Sequence, residues 1–206
     1  MLLLNGASSS GKSSVVRALL PLLADPWFVF AVDGLTAMRS AVHTRVLDDA
    51  EIDAMLTRMR RGYHRAVAGL VSAGNDVIMD YPLSEAWRLA DLVEVLAGVD
   101  VTLVEVRCSP VELARREVAR GDRPVGLAVS QTLVYGHGDR DIVVDTTDSS
   151  ALECAREIVA AWGALTGPKA FERLRQRGER PRQSGSGFVG GEGGCVRGEG
   201  STRGGG

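Results

Sequence analysis

The chain has 206 residues, of which 45% are apolar and 24% are charged, and its formal net charge is -2. This length suits one domain of an ordinary globular protein. The near-neutral charge and the 5% aromatic content argue against a nucleic acid or an anionic membrane as partner. The apolar start at residues 1–4 is too short for a signal peptide, and no apolar run nears the ~20 residues that span a bilayer, so we expect a cytoplasmic protein.

Short apolar runs alternate with helical patterns from residue 1 to about residue 166. The apolar runs predict buried parallel strands at 1–5, 27–33, 76–80, 101–106 and 141–145. The helical patterns cover residues 12–23, 51–72, 84–96, 110–120 and a last segment that runs to residue 162. Their N-terminal caps are expected at Asp48 or Asp49, Ser84, Ser109, and Ser149 or Ser150. This alternation predicts an α/β fold with helices on both faces of a parallel sheet.

The composition changes near Gly178, beyond which the chain is mostly Gly, Arg, Ser and Glu. Such a segment buries too little apolar surface to offset the entropy lost on ordering, which predicts a disordered tail. The predicted division is one domain over residues 1–166, followed by a short, poorly anchored helix at 169–177 and the tail, within residues 167–206.

Residues 6–13 have the pattern G-x-x-x-x-G-K-S between a predicted strand and a predicted helix, which is typical of a phosphate-binding loop, or P-loop. Gly6 and Gly11 permit backbone angles that turn N–H groups towards phosphate oxygens, and the helix start adds its positive dipole end. We expect Lys12 at the β- and γ-phosphates of ATP and the Ser13 hydroxyl at Mg²⁺. The other predicted ATP-binding residues here are Ala7, Ser8, Ser9, Ser10 and Ser14.

Two acidic residues, Asp33 and Asp80, each close a predicted apolar strand. Ligands bind at the carboxyl ends of strands in such sheets, and a carboxylate is costly to bury, so both side chains are expected to face the site. Asp80 is assigned to Mg²⁺ and its waters, and Asp33 is assigned as the general base on the acceptor hydroxyl. The two roles can be exchanged, and either residue can instead cap a helix.

An arginine-rich segment follows the fourth predicted strand. Helical spacing places Arg116, Arg120 and Arg123 along one side of the helix and its exit, where glycine and proline residues end the helix. We interpret residues 115–130 as a lid in which Arg120 and Arg123 assist phosphoryl transfer and Arg116 and Arg120 contact the nucleotide. The alternative is a solvated helix face with Arg–Glu pairs.

Taken together, these motifs resemble the chloramphenicol phosphotransferase family. The resemblance rests on residues 6–13, on Val32-Asp33-Gly34-Leu35, and on segments 106–108, 116–123 and 144–147, and it covers most of residues 1–162. It implies a P-loop kinase fold with a five-stranded parallel core and ATP-dependent phosphorylation of a hydroxyl on chloramphenicol or a similar molecule. It also implies that Asp33 is the catalytic base and that Thr146 lies near the nucleotide base.

The sequence departs from the family pattern in two regions. Residues 36–60 lack the glycine-rich acidic insert of the family's acceptor-binding region, and Asp80 is followed by Tyr81 rather than by a second acid. The leading hypothesis is a kinase of a small hydroxylated molecule, with a chloramphenicol-like antibiotic first. A kinase of a nucleotide, sugar-nucleotide or other metabolite and a non-catalytic ATP-binding regulatory module stay open, as does the oligomeric state.

Overall fold

A computed structural model of the chain describes residues 1–120, Gly126 and residues 131–179. Its strands are β1 (Leu2–Asn5), β2 (Trp27–Ala31), β3 (Asp76–Asp80), β4 (Thr102–Arg107) and β5 (Ile142–Asp145). They form one parallel sheet in the order β2-β3-β1-β4-β5. The predicted α/β fold with a five-stranded parallel sheet is therefore confirmed.

The helices are α1 (Lys12–Leu19), α2 (Val32–Ala37), α3 (Ala41–Thr44), α4 (Asp49–Ser72), α5 (Ala86–Val95), α6 (Pro110–Arg120), α7 (Ala151–Ala164) and α8 (Ala170–Glu179). Short 3₁₀ turns occur at Leu20–Leu22 and Thr132–Tyr135. The Asp48 side chain accepts from the Glu51 N–H, and the Glu51 side chain accepts from the Asp48 N–H, so a capping box begins α4. Within the described residues, no helix is both long enough and apolar enough to cross a membrane.

Two apolar clusters cover the two faces of the sheet. The side chains of β1 alternate, so Leu3 packs towards α4, α5 and α8 while Leu2 and Leu4 pack towards α1 and α7. All three leucines are completely buried. The two clusters place the sheet between two helical layers, and they leave the carboxyl ends of the strands to form a cavity.

The predicted end of the second strand is wrong, and the difference concerns Asp33. Strand β2 ends at Ala31, and Asp33 lies in the first turn of α2 rather than at the end of a strand. An acidic side chain is favourable in the first turn because the helix dipole is positive there. The side chain of Asp33 is therefore positioned by a helix start.

Two helix boundaries also differ from prediction. Helix α5 begins at Ala86 after Glu85, so Ser84 is not its cap. The side chain of Glu85 instead accepts from Arg88 Nε at 2.8 Å. Helix α1 ends at Leu19 and continues as a 3₁₀ turn because Pro21 has no N–H to continue the α-helical bonding.

The last helix, α8, is anchored more firmly than predicted. Phe171 is 1% exposed and packs in the cluster that contains α5. Arg173 pairs with Asp139 and Asp141, and Asp141 Oδ1 also accepts from the Ala170 N–H at 2.7 Å. These partners lie about 30 residues away in sequence, where no local pattern could indicate them. The predicted tail beyond residue 179 lies outside the described residues.

Candidate active site

A cavity of about 640 Å³ opens at the carboxyl edge of the sheet. One side carries Asp33, Asp80 and Pro82, and another carries Arg116 and the start of α7. Between them run the P-loop and the first turn of α1, which contribute Ser8, Ser9, Ser10, Gly11, Lys12, Ser13 and Ser14. The structure thus brings the predicted loop and both predicted acids to one cavity.

The P-loop has the expected left-handed backbone at Gly11 but not at Gly6. Gly11 has φ 86° and Ser9 has φ 60°, both in the left-handed region. Gly6 is needed for a close approach instead, because a Cβ there would lie 2.4 Å from the Val106 carbonyl oxygen. Lys12 is buried, and its ammonium donates to the carbonyls of Gly6 at 2.6 Å and Ala7 at 2.8 Å. The charge of Lys12 is thereby held within the loop.

A hydroxyl and a carboxylate meet where α1 begins. Ser13 Oγ donates to Asp80 Oδ2 at 2.6 Å. Oxygen ligands of this kind suit Mg²⁺, which retains several waters and uses few protein ligands beside the phosphates of a substrate. No group of three or more His, Cys, Asp or Glu residues in the described ranges could hold a metal alone. The donor set therefore fits a phosphate-bound Mg²⁺ rather than a closed protein site.

Asp33 is exposed and lines the cavity from the first turn of α2. Its helix is fixed by Thr36, whose hydroxyl donates to the Val32 carbonyl at 2.9 Å. The preceding strand end is fixed by Tyr63 of α4, which donates to the Phe30 carbonyl at 2.5 Å. Burial raises the pKa of Tyr63 well above its usual value, with a further contribution from Asp80, so this phenol stays a neutral donor.

Arg116 and Thr146 join the end of β5 to the P-loop. Arg116 donates to the Thr146 hydroxyl at 3.1 Å and to the Thr146 carbonyl at 2.6 Å. The Thr146 hydroxyl lies 2.7 Å from the Ser10 carbonyl, to which it donates. Both side chains line the cavity. Arg123 and the side chain of Arg120 lie outside the described residues, as does most of the predicted lid.

A polar side chain that no sequence pattern indicated contacts the P-loop. Gln131 lines the cavity, and its Oε1 accepts from the Ser8 N–H at 2.7 Å. Next to it, the Tyr135 hydroxyl accepts from the Ala7 N–H at 3.2 Å and donates to the Val106 carbonyl at 3.2 Å. The contacts with Ser8 and Ala7 span more than 120 residues of sequence, so no spacing rule could have found them.

Asn5, the last residue of β1, was missed as well. Its Nδ2 donates to the Val134 carbonyl at 2.6 Å, and its Oδ1 accepts from the Leu83 N–H at 2.9 Å. The side chain is 3% exposed. A buried side-chain amide requires hydrogen-bond partners. An asparagine at the end of an apolar strand, directly before the P-loop, is therefore a sequence signal for such contacts. Asn5 connects the segment after the predicted lid with the segment after Asp80.

The chain is similar to known proteins in sequence and in fold. A family model described as "Chloramphenicol phosphotransferase-like protein" matches residues 1–163. The chain belongs to this family. A Mycobacterium tuberculosis H37Rv protein that bears the provisional name O-phosphotransferase is 30% identical to it over 201 residues, with 86% of this chain and 88% of that protein covered.

Solved structures of kinases share the fold. A tunicamycin resistance protein of Deinococcus radiodurans has a TM-score of 0.60 and 18% identity, with 81% of this chain and 98% of that one covered. The M. tuberculosis APS kinase CysC, in complex with AMPPNP and APS, has a TM-score of 0.59 and 20% identity, with coverages of 79% and 96%. Shikimate kinase of Acinetobacter baumannii has a TM-score of 0.54 and 17% identity, with 79% of this chain and 92% of that one covered. Family and fold together identify this member as a phosphotransferase of the P-loop kinase type.

Proposed function

We propose that the protein transfers the γ-phosphoryl group of ATP to a hydroxyl of a small molecule, and that a chloramphenicol-like antibiotic is the first acceptor to test. The observation that carries the proposal is the single cavity lined by the P-loop, Asp80 and Asp33. Phosphoryl transfer requires these three parts together, because catalysis is largely positioning and charge stabilisation.

The proposed phosphate site uses groups that are already ordered. The residues at the start of α1 line the cavity, and their N–H groups are proposed to bind phosphate oxygens. Lys12 is proposed to exchange the carbonyls of Gly6 and Ala7 for the β- and γ-phosphates. Mg²⁺, when bound near Ser13 and Asp80, supplies positive charge that offsets the charge of the phosphates. Arg116 contributes from the opposite wall, and Arg120 and Arg123 are proposed to contribute from the lid.

Asp33 is the proposed general base. The acceptor oxygen attacks the γ-phosphorus while its proton passes to the Asp33 carboxylate, and the bond to the bridging oxygen of ADP breaks. The position of Asp33 on a helix start, exposed to the cavity, allows an acceptor to approach between it and the P-loop.

An apolar acceptor is favoured by the segment that follows Asp33 in the sequence. The chain from α2 to α4 exposes Met38, Val42 and Val46, with exposed fractions of 80%, 71% and 81%. Large apolar side chains that stay exposed within one short segment are often part of a ligand-binding or interaction surface. This segment therefore favours an aryl or other apolar alcohol as the acceptor. A strongly charged metabolite is the second candidate for the same site.

The experiment measures phosphate transfer from labelled ATP to a panel of alcohols, including chloramphenicol, other hydroxylated antibiotics, nucleosides and sugar derivatives. Asp33→Asn should lower transfer by about 100-fold or more while ATP affinity is kept, which is the usual contribution of a general base. Asp25→Asn, which changes an exposed acid before β2, is the matched control. Full transfer by the Asp33 variant would contradict the base assignment. ATP binding without transfer to any alcohol would favour a regulatory ATP-binding module.

A further inference from the structure

We propose that Gln131 is an additional catalytic residue, whose side-chain Nε2 donates a hydrogen bond to the γ-phosphoryl group as it is transferred. The proposal rests on the ATP-dependent transfer proposed above. Gln131 lies in the cavity wall, in the segment that leads into the 3₁₀ turn at Thr132–Tyr135. Neither its residue type nor its spacing from the P-loop marks it in the sequence.

The contact with the P-loop fixes which end of the carboxamide faces the cavity. The Ser8 backbone N–H can only donate, so the atom 2.7 Å from it must be the oxygen Oε1. Nε2 is then directed away from Ser8, and none of the described residues accepts a hydrogen bond from it. Gln131 therefore presents to the cavity a neutral donor that the described part of the chain leaves unused.

The surrounding contacts place Gln131 near the reacting end of the cavity. The segment that follows it is held by Asn5 at the Val134 carbonyl and by Tyr135 at the Ala7 N–H. Asn5 also accepts from the Leu83 N–H, directly after Pro82. Through Asn5 this segment is joined to the ends of β1 and β3, where Asp80 also lies, and through Tyr135 it meets the Val106 carbonyl of β4.

A neutral donor at this position matches the charge that develops during transfer. Negative charge spreads over the three equatorial oxygens of the γ-phosphoryl group in the transition state. A donor that is already oriented by a second hydrogen bond stabilises that charge without reorganisation of the site. The bonds that form and break are the same as in the proposed reaction, and Gln131 neither gains nor loses a proton.

The test compares the affinities for Mg·ADP alone and for Mg·ADP with aluminium fluoride, which imitates the transferred phosphoryl group. Gln131→Met keeps the length of the side chain and removes both polar atoms. We expect the variant to lose about 100-fold in affinity for the fluoride complex while its ADP affinity changes little, since a transition-state donor has an effect of this size. Equal losses for both ligands, or no loss for either, would overturn the proposal.

Two further variants separate donation from simple support of the loop. Gln131→Glu keeps an oxygen for the Ser8 N–H but cannot donate when ionised, so it should also lose the preference for the fluoride complex over ADP. If the Gln131→Glu variant still prefers the fluoride complex over ADP, Gln131 only holds the loop. Tyr135→Phe removes the acceptor of the Ala7 N–H and shows what loss of support looks like, namely equal weakening of both ligands. Because no alcohol is needed, failure of the panel would reject the proposed function without deciding the role of Gln131.

Discussion

The Ser13 hydroxyl donates to the Asp80 carboxylate, with 2.6 Å between Oγ and Oδ2. The two residues are 67 positions apart, at the start of α1 and at the end of β3, and the parallel pairing of β1 with β3 brings them together. Because the hydroxyl proton points to Asp80, the lone pairs of Oγ are free to face the cavity. This arrangement supports the proposed role of the pair in holding Mg²⁺ beside the phosphates.

Replacement of Asp80 by Asn should raise the Mg²⁺ concentration needed for half-maximal turnover by roughly 10- to 100-fold, as is usual when a partner that orients a metal's ligands is lost. Turnover at saturating ATP, titrated with Mg²⁺, measures the effect. Asp76→Asn changes the acid at the other end of the same strand and should leave the titration as it is. Identical titrations for the Asp80 variant and the wild type would show that Asp80 does not serve the metal.

Gly6→Ala should destabilise the fold and prevent ATP binding. The new methyl group would lie 2.4 Å from the Val106 carbonyl oxygen and 2.8 Å from Ser10 Oγ, so β4 or the P-loop must move. We expect the free energy of unfolding to fall by about 1–3 kcal/mol, the usual cost of overpacking, as measured by urea denaturation.

The matched control is Gly62→Ala in α4, where an added Cβ meets nothing within 4 Å. Alanine is favoured over glycine inside a helix, so this variant should gain up to about 1 kcal/mol in stability and bind ATP normally. A stable Gly6→Ala protein with normal ATP affinity would mean that the loop does not depend on its close approach to β4.

Thr146→Val should weaken ATP binding because the Ser10 carbonyl of the P-loop and Arg116 both lose the hydroxyl that joins them. Thr146 is 3% exposed, so the loss of this hydroxyl should also cost about 1–2 kcal/mol of unfolding free energy. Thr146→Ser keeps the hydroxyl and should restore most of the ATP affinity, measured by calorimetry. If Val and Ser variants bind ATP equally well, the hydroxyl does not support the nucleotide site.

A buried histidine predicts how stability depends on pH. The side chain of His64 is completely buried, and its Nδ1 lies 2.5 Å from Asp91 Oδ2. Burial lowers the pKa of His64, although the hydrogen bond with Asp91 opposes the shift. The folded protein therefore binds a proton at His64 less readily than the unfolded chain, whose histidines have their usual pKa of about 6.5.

The free energy of unfolding should consequently fall as the pH falls below about 6.5. His64 should contribute up to about 1.4 kcal/mol per pH unit to this fall, until the pH reaches the pKa of His64 in the folded protein. His64→Asn should remove this contribution between pH 6.5 and 5, at some cost in stability at neutral pH. His43→Asn changes an exposed histidine and should keep the pH dependence. An unchanged slope in the His64 variant would show that His64 does not titrate with folding.

The sequence determined the parts of the protein whose geometry is local. The turn and helix start of residues 6–13 depend on glycine angles and on adjacent elements, and Asp48 and Ser150 begin their helices through partners three residues away. The five apolar runs predicted the parallel sheet because strands that are buried on both faces have continuous apolar sequences. These features could be predicted without any knowledge of the chain's three-dimensional contacts.

Tertiary structure decided the rest, because contacts between distant segments leave no period in the sequence. It placed Asp33 on a helix start instead of a strand end, anchored α8 through Arg173, and brought Gln131 to the Ser8 N–H across 123 residues. Asn5 shows the same limit, since its burial requires partners but only the folded chain shows that they are Val134 and Leu83. Local chemistry therefore specified the phosphate-binding loop, while the packing of strands and helices selected the side chains that surround it.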